Sequence, residues 1–457
     1  MSGIFKAYDI RGIVGEGVTS QVAYLIGRGL AQEIFRGDSP IVVSQDMRTH
    51  SPELAALLVR GLNDGGCNVI DIGLAATPMN YWANVHFKSA GSVTITASHN
   101  GPEYNGFKVS GPGAVPIDYS TGLDRVEAFV LHTQAWSIPA PVANRGQVRH
   151  QENAQKAYLD FMLSFVKTES VVRPKVKIAV DAGNGMAGSF MPALAQQLPW
   201  LECIPLFWEL DGTFPNHEAD PLKAENLRDA ECAVVDRDCD FGVVFDGDAD
   251  RCMFVDNTGK SISSDLVTAF IAAEILRREP GSSILYDLRS SRIVPEIIEA
   301  NGGVPVRGRV GHSFMKRLLK EQNAPFGGEL SGHYYFRDCF NTDSGLMAMI
   351  EVLNIWRQSK QTLAKMVAPL RKYAATGEIN FRVADVPTVL QRIENYYLDT
   401  GAETDHLDGL TVNMPDWWFN LRSSNTEPLL RLNLEAASMF EREDKLREVR
   451  RLIENIG

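Results

Sequence analysis

A short apolar run followed by an amphipathic helix-length segment recurs along this chain. That rhythm restricts the fold more than any single motif does. "PIVVSQD" (40–46) reads as a strand and "SPELAALLVRGLNDGG" (51–66) as a helix. In that helix Leu54, Leu57, Leu58 and Leu62 share one face, Ser51 is the expected N-cap and Gly65 lies near the C-cap. "CNVIDIG" (67–73) supplies the next strand. The pattern returns in "KVKIAVDAGNGMAGSFMPALAQQL" and "ECIPLFW" (175–208), and again from "SSILYDL" to "GHSFMKRLLKEQN" (282–323). Strands joined by helical crossovers imply parallel sheets covered on both faces. The expectation is an α/β protein with at least three similar units. The last ~80 residues alternate differently and predict a smaller α+β unit. Breaks in periodicity at 137–147, near 252 and at 367–377 predict four domains: 1–147, 148–252, 253–367 and 368–457.

The net charge of −12 argues against a general nucleic-acid surface, which needs a basic face. Six scattered cysteines, none in a C-x-x-C pair, form neither a zinc framework nor a dense disulfide scaffold. They suit a reducing cytoplasm. No run of eighteen apolar residues predicts a membrane span, and "MSGIFKAYDIRG" has no apolar leader core. A cytoplasmic protein with no nucleic-acid or membrane partner is expected. Monomer and dimer are both compatible with the sequence.

"VVFDGDADR" (243–251) carries the strongest local signal. An apolar strand delivers Asp246, Asp248 and Asp250 into one short turn, where carboxylates repel unless a cation holds them. Hard oxygen donors suit Mg²⁺ or Ca²⁺. The EF-hand pattern fails, because its glycine and final glutamate positions hold Arg251 and Asn257. A phosphatase using Asp246 as nucleophile is a rival reading. "DAGNGMAG" (181–188) matches G-x-G-x-x-G, although tight strand-to-helix packing explains the glycines equally well.

"VTITASHNG" (93–101) ends a strand in polar residues that must bond or line a cleft. In "GGELSGHYYFRD" (327–338), Glu329, Ser331 and His333 alternate and would point the same way if extended. "NLRSSNTEP" (420–428) gathers Arg422, Ser423, Asn425 and Thr426, a donor set suited to phosphate. "GHSFMK" and "KAYDIRG" place His312, Tyr8 and Arg11 at element ends.

Taken together, "TASHN", "DGDADR", "GELSGH" and "RSSNTEP" resemble the α-D-phosphohexomutase superfamily over essentially the whole chain. "KAYDIRG", "EYNGFK" and "NLRSSNTEP" are similar to its bacterial phosphomannomutase / phosphoglucomutase group. Departures are Gly101-Pro102, where proline often follows the asparagine directly, and Val310, where threonine is common. The resemblance implies four domains around a central cleft: three α/β units with mixed, mainly parallel sheets, and a C-terminal α+β domain. It implies that Ser98 carries a phosphoryl group, and that Mg²⁺ is held by Ser98, Asp246, Asp248 and Asp250. It makes His99, Lys108, Arg11 and His312 catalytic candidates. Tyr8, Arg251, Arg289, Arg309, Glu329, Ser331, His333, Arg422, Ser423, Asn425 and Thr426 become substrate-binding candidates. The implied substrates are phosphosugars, with mannose ahead of glucose and a hexose 1,6-bisphosphate as intermediate and activator. A non-catalytic phosphosugar-binding protein is the remaining alternative.

Overall fold

The computed structural model describes residues 3–37, 40–135, 138–169, 171–423 and 429–456. Its first sheet contains β1 (Ile10–Ile13), β2 (Ile41–Gln45), β3 (Val69–Leu74), β4 (Gly91–Ile95), β5 (Tyr104–Ser110) and β6 (Val148–His150), ordered β1-β5-β4-β2-β3-β6. The second contains β7 (Val176–Asp181), β8 (Leu201–Leu206), β9 (Phe241–Phe245), β10 (Cys252–Asp256) and β11 (Ser261–Ile262), ordered β8-β7-β9-β10-β11. The third contains β12 (Ser283–Asp287), β13 (Val304–Gly308), β14 (Phe326–Gly328), β15 (Tyr334–Phe336) and β16 (Thr342–Asp343), ordered β13-β12-β14-β15-β16.

One winding repeats in all three sheets. A middle strand (β2, β7, β12) has a parallel neighbour on each side. The second of those neighbours (β4, β9, β14) then turns back into an antiparallel strand (β5, β10, β15). Middle strands such as Ile41–Val43 and Ile178–Val180 are apolar and buried on both faces, as helix-covered parallel strands must be. The chemically rich segments 96–103, 246–251 and 329–333 all occupy the corner where the chain turns back.

The fourth sheet is antiparallel: β17 (Ala374–Phe381), β18 (Glu403–Asp405), β19 (Leu410–Asn413), β20 (Trp417–Ser423) and β21 (Leu430–Ala436), ordered β17-β21-β20-β19-β18. Trp417, Phe419, Leu421, Leu430 and Leu432 pack with Val389, Ile393, Val449 and Ile453 of two helices. Alternation puts Trp418, Asn420, Arg422, Arg431, Asn433 and Glu435 on the opposite face. There Glu435 accepts hydrogen bonds from Trp418 Nε1 (2.9 Å) and from the Arg292 amide of the third unit (3.0 Å). No helix among the described residues is long and apolar enough to cross a membrane.

Three local expectations change. The helix begins at Ser51 with His50 as its cap, and the Ser51 hydroxyl donates to buried Asp46 (2.5 Å) instead of capping. The break expected at 252 falls at the β9–β10 corner, because Cys252–Asp256 is a fully buried strand that continues the same sheet. The first unit runs past 147. Arg28 donates to the Pro139 and Ala140 carbonyls, and β6 pairs with β3.

Candidate active site

Three residues past β4, Ser98 lies in the left-handed backbone region, with φ +52°. A non-glycine residue there costs about 1–2 kcal/mol, so something must hold it. That something is Arg48, whose side chain is completely buried. Its Nη2 donates to the carbonyls of Ser98 (2.8 Å) and Asn100 (2.6 Å), and its Nη1 to those of Gly101 (2.6 Å) and Tyr104 (3.1 Å). Asp46 balances its charge at 3.2 Å. Gly247 lets the neighbouring loop approach, since a Cβ there would lie 2.4 Å from the Ser98 carbonyl oxygen. The result aims Ser98 Oγ at Asp246 Oδ2, 3.0 Å away.

The second corner is acidic. Asp246, Asp248 and Asp250 are all buried, and one oxygen from each lies within 4.8 Å of the others. Lys108 Nζ sits 2.6 Å from both Asp248 and Asp250, and Thr77 Oγ1 donates to Asp248 (2.6 Å). Arg251 lies 3.8 Å from Asp246 and 4.0 Å from Asp250. Burial, then repulsion from Asp250 and Asp248, pushes Asp246 well above the usual carboxylate range. Burial acts the same way on the other two. Lys108 nevertheless outweighs it at Asp248, and Lys108 with His333 holds Asp250 far below its ordinary value. Asp248 Oδ1 is buried without a hydrogen-bond partner among the described residues. Three hard oxygen donors, with one oxygen each of Asp248 and Asp250 left without a hydrogen bond among the described residues, fit a small divalent cation such as Mg²⁺.

The third corner is a tight turn, so Glu329, Ser331 and His333 do not alternate along an extended strand. The Glu329 amide donates to the His333 carbonyl (2.9 Å), and Gly332 takes the positive φ (+84°) the turn requires. Even so, the three side chains converge. His333 Nδ1 lies 3.3 Å from Glu329 and 3.2 Å from Ser331 Oγ. Its Nε2 reaches Asp250 at 3.4 Å and Arg251 Nε at 3.2 Å. Glu329 also accepts from Tyr335 (2.5 Å) and the Gly311 amide (2.8 Å). Burial would raise its pKa, but bonding and attraction to His333, with Arg289 nearby, hold it at about 2.

Around these corners stand the remaining candidates. His99 Nδ1 is 3.4 Å from Ser98 Oγ, and burial with Arg251 and Arg11 nearby keeps the ring neutral. His312 is kept neutral by burial and by Lys316, and its Nδ1 is buried without a hydrogen-bond partner among the described residues. Arg11 joins Asn100 (2.6 Å) to Asp9 (2.5 Å). Tyr8 crosses from the first unit to the third, donating to the Val310 carbonyl (3.1 Å). Arg309 is exposed and stacks on Phe314, 4.5 Å from the ring centre.

On the fourth sheet, Arg422 donates to Glu378 (2.7 Å), which also accepts from Arg431 (3.0 Å). Arg289 lies 3.9 Å from the same carboxylate and clamps Asp287 at 2.7 Å. Asp287 in turn accepts from the Leu330 amide (2.7 Å), tying this cluster to the third corner. Burial and the neighbouring Arg289 lower the Arg422 pKa. Ser423 is exposed at the end of β20, while Asn425 and Thr426 lie outside the described residues.

The glycines of the G-x-G-x-x-G segment serve close packing. The amide of Met186, at the start of its helix, donates to the Gly247 carbonyl (2.8 Å), and a Cβ on Gly188 would meet the Trp208 carbonyl at 2.0 Å. Gly185 brings the helix start against the acidic loop, and Gly188 brings it against the Trp208 backbone. Sequence reading missed Arg48, Thr77 and Glu378. Only Arg48 left a trace, as the D-x-R following β2 in "SQDMRTHS".

A serine hydroxyl beside three buried carboxylates, with Lys108, Arg251 and an Arg289–Arg422–Arg431 cluster nearby, suits chemistry on an anionic group. Four family models match in succession: phosphoglucomutase/phosphomannomutase alpha/beta/alpha domain I (residues 2–135), domain II (156–259), domain III (263–373) and the C-terminal domain (378–452). The chain is 41% identical over 432 residues to a protein of Xanthomonas campestris pv. campestris named for phosphohexose mutases, covering 94% of each chain. It is 37% identical over 439 residues to the phosphomannomutase of Salmonella typhimurium, again covering 94% of each. The solved structure of a phosphoglucomutase/phosphomannomutase family protein from Burkholderia thailandensis superposes with a TM-score of 0.88 at 31% identity, covering 99% of this chain and 97% of that one. The chain belongs to the phosphoglucomutase/phosphomannomutase family, whose members are isomerases acting as mutases.

Proposed function

We propose that this mutase interconverts hexose 1-phosphates and hexose 6-phosphates, mannose first and glucose also, through a phosphoryl group carried on Ser98. The observation that carries the reading is the Ser98 hydroxyl, held in a strained corner 3.0 Å from Asp246 and beside two further buried carboxylates. Ser98, Asp246, Asp248 and Asp250 would hold Mg²⁺. When bound, it supplies charge neutralisation for the phosphoryl oxygens.

In the first transfer the sugar hydroxyl forms a bond to phosphorus as the Ser98 Oγ–P bond breaks, giving a hexose 1,6-bisphosphate. The hydroxyl proton passes to a neutral base, a task suited to His99 or His312. The bisphosphate turns over in the cleft, and its other phosphoryl group returns to Ser98. Lys108, Arg11 and Arg251 offset charge at the reacting end. Arg422, with Ser423, Asn425 and Thr426, holds the non-reacting phosphate. Glu329 and Ser331, with His333, bind sugar hydroxyls in both poses, and Tyr8, Arg289 and Arg309 line the approach. Unbridged Cys232 and Cys252 suit a reducing cytoplasm.

Intact mass of the purified protein tests the reading. One phosphoryl adduct mapping to Ser98 is expected, and Ser98→Ala should lose both the adduct and several orders of magnitude in turnover. Near-normal turnover in that variant would overturn the relay. A phosphatase acting through Asp246 would show no adduct on Ser98 and would consume added bisphosphate.

A further inference from the structure

We propose that Glu378 is a resident counter-charge for the phosphate-binding arginines, weakening phosphate capture enough for the bisphosphate to leave and turn over. This rests on the reading of Arg422 as a phosphate ligand. A bulge in β17 between Ala375 and Glu378 breaks the register with β21, and Gly377 takes φ +69° within it. Bulges re-aim side chains, and this one sends the Glu378 carboxylate into the arginine cluster. One carboxylate serves Arg422 (2.7 Å) and Arg431 (3.0 Å) through separate oxygens, with Arg289 at 3.9 Å. Three guanidiniums gathered on a single tetrahedral or trigonal anion is the pattern by which proteins hold phosphate. Here the anion belongs to the chain. Arg422 spends Nη2 on it, while its Nε is buried with no partner among the described residues. Nη2 lies on the same side-on edge as Nε, so Glu378 already neutralises that edge, and among the described residues Nη1 is the donor left to meet an incoming phosphate.

The reaction needs such a compromise. The bisphosphate must leave this pocket once in every cycle, and a fully uncompensated arginine cluster would hold a dianion too long. Glu378 takes up part of the positive charge whenever the phosphate is away. It acts through the arginines and touches no reacting atom, so it is a positioning residue.

The test compares Glu378→Gln, Glu378→Asp and Arg422→Ala with the parent enzyme, using mannose 1-phosphate turnover and calorimetric binding of inorganic phosphate. Glu378→Gln keeps the shape and an acceptor oxygen but removes the charge. It should bind phosphate roughly tenfold more tightly, with KM and kcat both falling because release becomes limiting. Glu378→Asp keeps the charge and should stay close to the parent in both constants. A Glu378→Gln enzyme whose KM rises or stays unchanged, while Arg422→Ala raises KM, overturns the counter-charge role and leaves Arg422 as ligand. An unchanged KM in Arg422→Ala overturns the underlying assignment instead. A lost KM shift in both Gln and Asp variants, with a lowered melting temperature in each, would mark Glu378 as merely structural and also overturn the proposal.

Discussion

Replacing Arg48 by methionine should damage both stability and turnover, though Arg48 touches no substrate-binding candidate directly except through the serine loop. The side chain is fully buried, paired with Asp46 at 3.2 Å and bonded to four backbone carbonyls between Ser98 and Tyr104. Hydrogen bonds from a charged donor are worth about 1.5–3 kcal/mol each, but four sharing one group do not add. A better guide is the cost of breaking a buried ion pair by removing one partner, about 3–5 kcal/mol. That sum leaves Asp46 buried and unpaired and frees Ser98 from a backbone conformation costing about 1–2 kcal/mol. The first unit should therefore lose about 3–5 kcal/mol. Ser98 Oγ should drift from its line to Asp246, and a misplacement of about 1 Å is enough to cost roughly 100-fold in turnover. Arg48→Lys keeps the charge but has one point donor where a fork is needed, so it should recover only part. Urea unfolding measures the first effect, amide exchange across 98–104 localises it, and turnover measures the second. Arg48→Met within about 1 kcal/mol of the parent and within about threefold in kcat would refute the reasoning.

Gly247→Ala should cut turnover by about 100-fold with the fold retained, because its Cβ would lie 2.4 Å from the Ser98 carbonyl oxygen and the loop must shift; an unchanged kcat would refute this. Chelation should abolish activity and Mg²⁺ restore it, and Asp248→Asn should raise the Mg²⁺ concentration needed, as read by activity against metal titration. Arg422→Ala should lower kcat/KM by about 10- to 150-fold, and Arg422→Lys should restore only part of it, as steady-state kinetics on mannose 1-phosphate would show.

The parts legible in the sequence are those whose chemistry is local. Asp246, Asp248 and Asp250 fall within five residues of one strand, and Ser98 and His99 sit at one strand exit, so each cluster announces itself. The parallel strand–helix–strand units were legible for the same reason, since each strand and helix carries its own period, whereas the antiparallel return strands β5, β10 and β15 were not. What escaped acts across distance in the chain. Thr77 meets Asp248 from 171 positions away, and Glu378 meets Arg422 from 44. Nothing beside Thr77 or Glu378 in the sequence marks a partner. The "GELSGH" segment misled in a different way. Alternation of polar residues reads as strand, but Gly332 permits a turn that closes Glu329 onto His333. At "SPELAALL" the serine favoured as a cap is claimed by a buried aspartate, and tertiary bonding overrides the local preference.

The Lys108 pairing has a temporal side. Its ammonium is made 140 positions before Asp248 and 142 before Asp250. At a synthesis rate of about 5–20 residues per second, Lys108 precedes its partners by roughly 7–28 seconds, and the first unit, complete at β6, precedes them by roughly 5–20 seconds. The Tyr8 hydroxyl waits longer still, since Val310 lies 302 positions downstream. A nascent chain of this kind must therefore fold its first unit with an open, charged face, and it becomes an enzyme only when later units arrive to close it. A chain that ended between the first unit and the acidic corner would hold Lys108 and the Ser98 hydroxyl without Asp246, Asp248 and Asp250.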